Sequence, residues 1–364
     1  MEDRGLLFIP DISGFTQFVT QTDIQHSRLI IQELLEILIN ANEMGLEVSE
    51  VEGDAILFYK FGDAPKLDEI YKQVEKMFCE FHRHLSVYDL TRFCQCKACQ
   101  SAINLTLKVI THYGEFTGYH VRNFNKLIGK DVIVAHQLLK NDIDKHEYWL
   151  VTKDLLHDDQ PADFKQWMQW DRSAKQTESG EIPFLYTQLS PLKNELPKEA
   201  PLQLELSEKA KVITMSKEYD VEIIHLFHAA GDVTYRSQWQ KGVKAVEEVN
   251  HFLPRVGMRS RRIMENGEAV VYASSYSFTW ERIEFSETDE DKKAATYFTL
   301  EKIGDRKTRL TIEYYIRKNG LQQLLFNLFK KNKIKKDLNQ SLMNLERIAQ
   351  EIRLPDDNPS LVSV

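Results

Sequence analysis

Between residues 190 and 205 the chain reads SPLKNELPKEAPLQLE, and its three prolines and mixed charges interrupt every apolar periodicity. Proline fixes φ and removes a backbone donor, so neither a helix nor a central strand runs through such a stretch. On either side, 42% hydrophobic content over 364 residues leaves enough apolar material for a core of its own. The break predicts two domains, 1–190 and 204–355, joined by a linker at 191–203 and followed by a flexible tail at 356–364.

Upstream, strands alternate with helices. The pattern predicts a strand over 5–10, a helix over 14–42, a hairpin of strands 46–51 and 55–61, a helix over 66–88, strands over 103–112 and 119–124, and a helix over 130–141. Downstream, a strand near 220–228 and a helical stretch over 232–250 precede a meander with turns at Asn266-Gly267, Glu287–Lys293 and Gly304-Asp305, closed by a helix over 321–352. Both halves are α+β.

A net charge of -8 leaves no general electrostatic footprint for nucleic acid. No apolar run is long enough to cross a bilayer, and the opening MEDRGLLF has neither the basic nor the long apolar region of a secretory signal, so the expected location is cytoplasmic. The run LQQLLFNLFKKNKIKK, 321–336, sets Leu321, Leu324, Leu325, Leu328 and Phe329 on one helical face ahead of five lysines. It reads either as a helix that lies on anionic lipid or as the apolar stripe a closing helix lays over its sheet; the second is favoured.

Two stretches carry chemistry. In LLFIPDISGFTQF, 6–18, an apolar strand ends at Asp11 and turns through Ser13-Gly14-Phe15-Thr16 into a helix, an arrangement that can hold a divalent cation beside phosphates bound at the helix end. In LEVSEVEGDAILFYKFG, 46–62, a tight hairpin carries Gly53-Asp54, and if it lies beside the first strand, Asp11 and Asp54 share one metal site. Taken singly, the first stretch is also an ordinary helix cap and the second an ordinary hairpin turn.

These residues resemble the class III nucleotide cyclases, the adenylate and guanylate cyclases, whose D-I-x-G-F-T stands here as Asp11-Ile12-Ser13-Gly14-Phe15-Thr16, after Phe8-Ile9-Pro10. The Gly-Asp hairpin at Gly53-Asp54, the H-x-G signature at His112 and Gly114, and the helix entrance IGKDVIVAHQLL at 128–139 follow in the family's order. The resemblance implies a ferredoxin-like cyclase fold. It further implies a Mg²⁺ or Mn²⁺ site at Asp11, Ile12 and Asp54, a phosphate loop of Ser13, Gly14, Phe15 and Thr16, a purine contact at Glu50 and Lys126, and a site formed between two protomers. Glu50 and Lys126 could equally be a surface ion pair.

Two departures bear on activity. Ile133 stands where the family has its transition-state Asn and Gln137 where it has its Arg, so neither hydrogen bond nor positive charge is supplied to the developing charge. The reading that follows is a signalling protein whose degenerate cyclase-like domain binds a Mg²⁺-purine nucleoside triphosphate. The alternatives are an active cyclase with a non-standard catalytic set, completed by a partner in a homodimer or heterodimer, and a dimerisation scaffold.

An insertion at 79–100 holds all four cysteines, and Cys94-x-Cys96-x-x-Cys99 with Cys79, His82 or His84 suggests structural Zn²⁺, reduced buried thiols being the alternative. The part over 204–355 resembles the START-like superfamily, a helix-grip fold with an antiparallel sheet around a long C-terminal helix. That implies a cavity for an apolar small molecule or lipid, with Trp239, Tyr276, Phe278, Trp280 and Tyr297 as lining candidates, although such aromatics are also ordinary core.

Overall fold

The computed structural model describes residues 3–22, 24–94, 96–122, 124–156, 163–177, 180–198, 206–249, 255–265 and 267–352. The chain divides into two compact units, one of residues 1–89 and 97–199, the other of 90–96 and 200–364. The division at 199/200 falls inside the expected linker, but that linker starts too early, because Ser190–Glu195 is a 3-10 helix with Leu192 buried in the first unit. The expected tail at 356–364 lies outside the described residues.

In the first unit β1 (Asp3–Ser13) leads into α1 (Phe15–Gln21) and α2 (Ile24–Asn40), then β2 (Glu47–Glu52), β3 (Ala55–Phe61) and α3 (Leu67–Thr91). The single helix expected over 14–42 is interrupted at Thr22, whose backbone is extended at φ -128 and ψ 163. After α4 (Lys97–Ser101) come β4 (Thr106–Val121), β5 (Phe124–Ile128), α5 (Lys130–Leu138), β6 (Tyr148–Thr152), β7 (Asp171–Thr177) and β8 (Gly180–Gln188). The sheet runs β2-β3-β1-β4-β6-β8-β7, with β5 paired to β4. β1 is central and covered on both faces, which is why its sequence is a continuous apolar run and not an alternation. Leu7 and Ile9 pack with Val132, Ala135 and Leu138 of α5 in one cluster, so this helix covers the face that carries them.

In the second unit β9 (Lys209–Tyr219) precedes α6 (Ile223–Gly231), α7 (Arg236–Trp239) and β10 (Val243–Glu248). The strand expected near 220–228 is therefore corrected to a helix: Ile223, Leu226, Phe227 and Ala230 are buried at the spacing of a 3.6-residue repeat. The helical reading of 232–250 holds only for short turns, the rest being β10. A meander follows through β11 (Arg259–Met264), β12 (Gly267–Phe278), β13 (Arg282–Asp289), β14 (Ala294–Gly304) and β15 (Lys307–Arg317). The sheet order is β10-β11-β12-β13-β14-β15-β9, antiparallel throughout. The chain ends in α8 (Gly320–Leu325), a π-helical turn at Phe326–Lys330, and α9 (Lys331–Glu351). Leu342, Leu345 and Ile348 of α9 share one core with Phe285, Phe298, Leu300 and Ile312 of the sheet. Both units are thus α+β. No helix among the described residues is long and apolar enough to cross a membrane.

Candidate functional site

Antiparallel pairing of β1 with β3 sets Asp11 opposite Ala55, so the turn carrying Asp54 closes over the end of β1, and the Ile12 N–H donates to the Asp54 carbonyl at 2.9 Å. Asp11 is 8% exposed, and its carboxyl is pushed up to about 6 by burial and by the charge of Asp54, against the opposing pull of Lys108. Burial also raises Asp54. The two carboxylates predicted to share a site are therefore brought together.

Lys108, which sequence reasoning missed, stands beside them. It is the register partner of Asp11 across β1 and β4; its Nζ lies 3.4 Å from Asp11 Oδ1 and donates to the Leu139 carbonyl at 3.2 Å. Among the described residues, two carboxylates against one ammonium leave one negative charge without a counter-ion, which is the condition under which burial raises carboxylate pKa values. The only sequence signal for Lys108 is a charged residue between the buried Leu107 and Val109 of an apolar strand.

In the loop expected to hold phosphate, the Ser13 hydroxyl is buried and makes no hydrogen bond, Thr16 is exposed, and the Phe18 N–H is already taken by the Gly14 carbonyl at 3.0 Å. Glu50 is in direct ion contact with Lys126, as the ion-pair alternative expected. His136 joins them, with Nε2 at 3.9 Å from Glu50 and Nδ1 at 3.7 Å from Glu52, and Glu50, Glu52 and His136 bring ligand atoms within 4.8 Å of one another. On the surface of α5, Ile133 is 57% exposed, and one turn further on Gln137 keeps an unpartnered, buried Oε1.

The H-x-G signature has a structural explanation. His112 Nε2 pairs with Asp131 Oδ1 at 3.1 Å and Nδ1 with the Thr152 hydroxyl at 2.8 Å, while Asp131 Oδ2 accepts the Glu115 N–H at 2.7 Å. The bond with His112, reinforced by the Glu115 N–H, holds the Asp131 carboxyl below its usual value although burial opposes this. A Cβ at Gly114 would lie 2.2 Å from Asp131 Cγ, and one at Gly129 would lie 2.7 Å from the Glu115 carbonyl. Glycine at both positions lets the first turn of α5 dock on β4, so the signature positions the helix that carries Ile133 and Gln137.

Among the expected zinc ligands, Cys79 is placed elsewhere. It lies near Glu75 and Glu195, where burial and then these carboxylates push its thiol up to about 11. His82 is buried, which drives its imidazole down to about 3, and His84 Nε2 pairs with Glu33 at 3.2 Å. Cys99 Sγ is instead 3.4 Å from His26 Nδ1, a partner that sequence spacing did not suggest.

In the second unit the expected lining aromatics take different roles. Trp239 and Tyr276 are buried core, Phe278 packs at its edge, Trp280 is exposed, and Tyr297 turns towards Glu284. A recess in this unit is lined by other residues, among them Phe93, Phe227, Met258, Val271 and Phe285, with Glu287 as its charged wall.

Residues 31–148 match the model of a family described as a protein of unknown function (DUF2652). Over 120 residues the chain is 31% identical to the uncharacterized protein Rv2561/Rv2562 of Mycobacterium tuberculosis, covering 33% of this chain and 56% of that protein. The chain thus spans little more than half the length of this relative. The guanylate cyclase domain of RhGC from Catenaria anguillulae, solved in complex with GTP, is similar at 14% identity and a TM-score of 0.35, over 51% of this chain and 97% of that one. A START superfamily protein from Mycobacterium smegmatis is similar at 14% identity and a TM-score of 0.30, over 39% of this chain and 100% of that one.

Proposed function

We propose that the first unit binds a purine nucleoside triphosphate with Mg²⁺ or Mn²⁺ and turns it over little or not at all, while the second takes up an apolar small molecule or lipid, the two together serving in signalling. The observation that carries this reading is the placing of Asp54 beside Asp11 at the end of β1, on a chain whose positions 133 and 137 offer no positive charge. A divalent cation fits: the uncompensated negative charge calls for one, and Asp11, Asp54 and the Ile12 carbonyl would hold it. Bound there, the cation would neutralise phosphate oxygens. Binding that does not strengthen as ring closure proceeds gives affinity without rate.

Calorimetry on the full chain with ATP and GTP tests this. Binding should require the divalent cation, and Asp11→Ala or Asp54→Ala should weaken it about tenfold or more, since one carboxylate then remains against Lys108. Affinity should also fall as the pH drops through about 6, where Asp11 takes up the proton that displaces a metal. Affinity that is the same without metal, or in both variants, means that the site is wrongly assigned.

A homodimer is favoured by exposed apolar side chains on the neighbouring elements β2 and β5, namely Val48, Val51 and Ile128. In the cysteine loop, the proposed structural zinc stays with the local Cys94-x-Cys96-x-x-Cys99 run, and Cys79 drops out. Elemental analysis of protein purified without chelator should find about one zinc per chain, lost when the three cysteines are changed to serine, together with a lower melting temperature. Metal-free wild-type protein from that preparation would remove the zinc proposal.

A further inference from the structure

The stripe at 321–336 does not close the sheet. That work falls to Leu342, Leu345 and Ile348 further along α9, all of which are buried. Ahead of them, Leu324, Leu325, Leu328 and Phe329 are exposed by 57%, 47%, 65% and 76%. Among the described side chains of this part, Phe326 is the buried one, its ring stacked on Tyr314 at 5.9 Å between centroids. Leu324 with Leu328 and Leu325 with Phe329 stand four residues apart, so the four make one contiguous ridge along the helix. An exposed ridge of this size and shape is not a scattered surface residue and calls for something to cover it.

The charge that follows says what covers it. Lys330, Lys333, Lys335 and Lys336 are exposed and Lys331 is half-buried, and among the described residues none of the five is in an ion pair. Five cations within seven residues, without an acid among them, stand on a chain whose net charge is -8. A one-signed basic stretch continuing an apolar ridge complements a surface that is apolar below and uniformly anionic above. Lysine stems reach along such a boundary while their ammonium groups stay with the headgroups. From 324 to 336 the segment extends about 20 Å, enough to lie in the interface and too short to span it.

We infer that Leu324–Lys336 is a membrane-docking element that seats the second unit on the surface of a bilayer carrying anionic headgroups. The ridge enters the headgroup boundary, and the lysines bind the lipid phosphates and carboxylates above it. This does not rest on the nucleotide reading of the first unit.

The test is co-sedimentation of the full-length protein with vesicles of phosphatidylcholine alone and of phosphatidylcholine mixed with phosphatidylserine. The expected result is binding to the mixed vesicles at low salt, at least about tenfold weaker on the neutral ones and weakened by added salt. Leu328→Gln with Phe329→Gln, and separately Lys333→Gln with Lys335→Gln and Lys336→Gln, should each reduce binding about tenfold or more at unchanged melting temperature. All five side chains are exposed, so the variants should fold. Equal binding to both vesicles, binding indifferent to either variant, or no vesicle binding at all would overturn the proposal. Loss of self-association in the Leu328 and Phe329 variant without any vesicle binding would assign the ridge to a second copy of the chain, and retention on duplex DNA in place of vesicles would assign the lysines to nucleic acid.

Discussion

Glu287→Gln should destabilise the second unit by about 3–5 kcal/mol, more than any single change to the arginines around it. Arg236 Nη2 donates to Glu287 Oε1 at 2.7 Å, and Arg262 Nη2 lies 2.6 Å from Oε2. Arg236 is 1% exposed, and Arg262 and Glu287 are also buried, so two guanidinium groups share one carboxylate away from water. Burial, aided by the charge of Arg262 and opposed by Glu287, depresses Arg236 to about 10. For Glu287 burial works against ionisation, yet Arg236 and Arg262 together hold its carboxyl below the usual range. Removing that one negative charge leaves two cations facing each other. Arg236→Met removes a cation stacked on Trp239 at 4.8 Å but leaves Glu287 and Arg262 as a neutral pair, and should cost less. Urea unfolding of the full chain, followed by a probe in the second unit, measures both. Equal losses, or a larger loss for Arg236→Met, would mean that packing and not charge balance holds the triad. The sign with pH follows: a carboxyl depressed on folding contributes stability at neutral pH that is lost as acid protonates it, so this difference between variants should shrink below the ordinary carboxylate range.

What the sequence disclosed here, and what it hid, divides by range. Asp11 and Asp54 were legible as a pair because each sits at the end of an apolar strand beside a tight turn, and such turns allow few registers. Lys108 was not, because its place opposite Asp11 depends on which residues of β1 and β4 face each other, and nothing local fixes that. The same holds for Arg236, Arg262 and Glu287, drawn from α7, β11 and β13, and for His26 beside Cys99. At 220–228 the failure was of another kind. Val221, Ile223 and Ile224 favour a strand locally, but burial of Ile223, Leu226, Phe227 and Ala230 in the second core selects the helix. The stripe at 321–336 is amphipathic as its spacing predicts, but Leu324, Leu325, Leu328 and Phe329 are exposed and not laid over the sheet, since periodicity tells that a face is apolar and not what it meets.

On the proposed reading, Ile133→Asn with Gln137→Arg should give the first unit slow cyclase activity, raising cyclic product about 10²–10³-fold above the wild-type level. Both positions lie on α5, locked to β4 through Asp131, His112 and Gly114, so the exchanged side chains are presented by a helix whose placement the substitutions leave alone. Ile133 is 57% exposed, and an asparagine there displaces no packing. Gln137 is half-buried with its own amide oxygen unpartnered, and an arginine there supplies the positive charge that the position lacks. If the site is shared between protomers, as the proposed reading has it, product should appear only above the concentration at which the protein dimerises, should require Mn²⁺ or Mg²⁺, and should vanish on adding Asp54→Ala. Robust turnover by the unmodified chain would refute the degenerate site and restore the reading of an active cyclase with an unusual catalytic set. If the double variant binds nucleotide as the wild type does and yet makes no product, the site lacks more than those two groups, and Lys108 is the next position to exchange, because its ammonium occupies the flank of Asp11 where a second cation would have to stand.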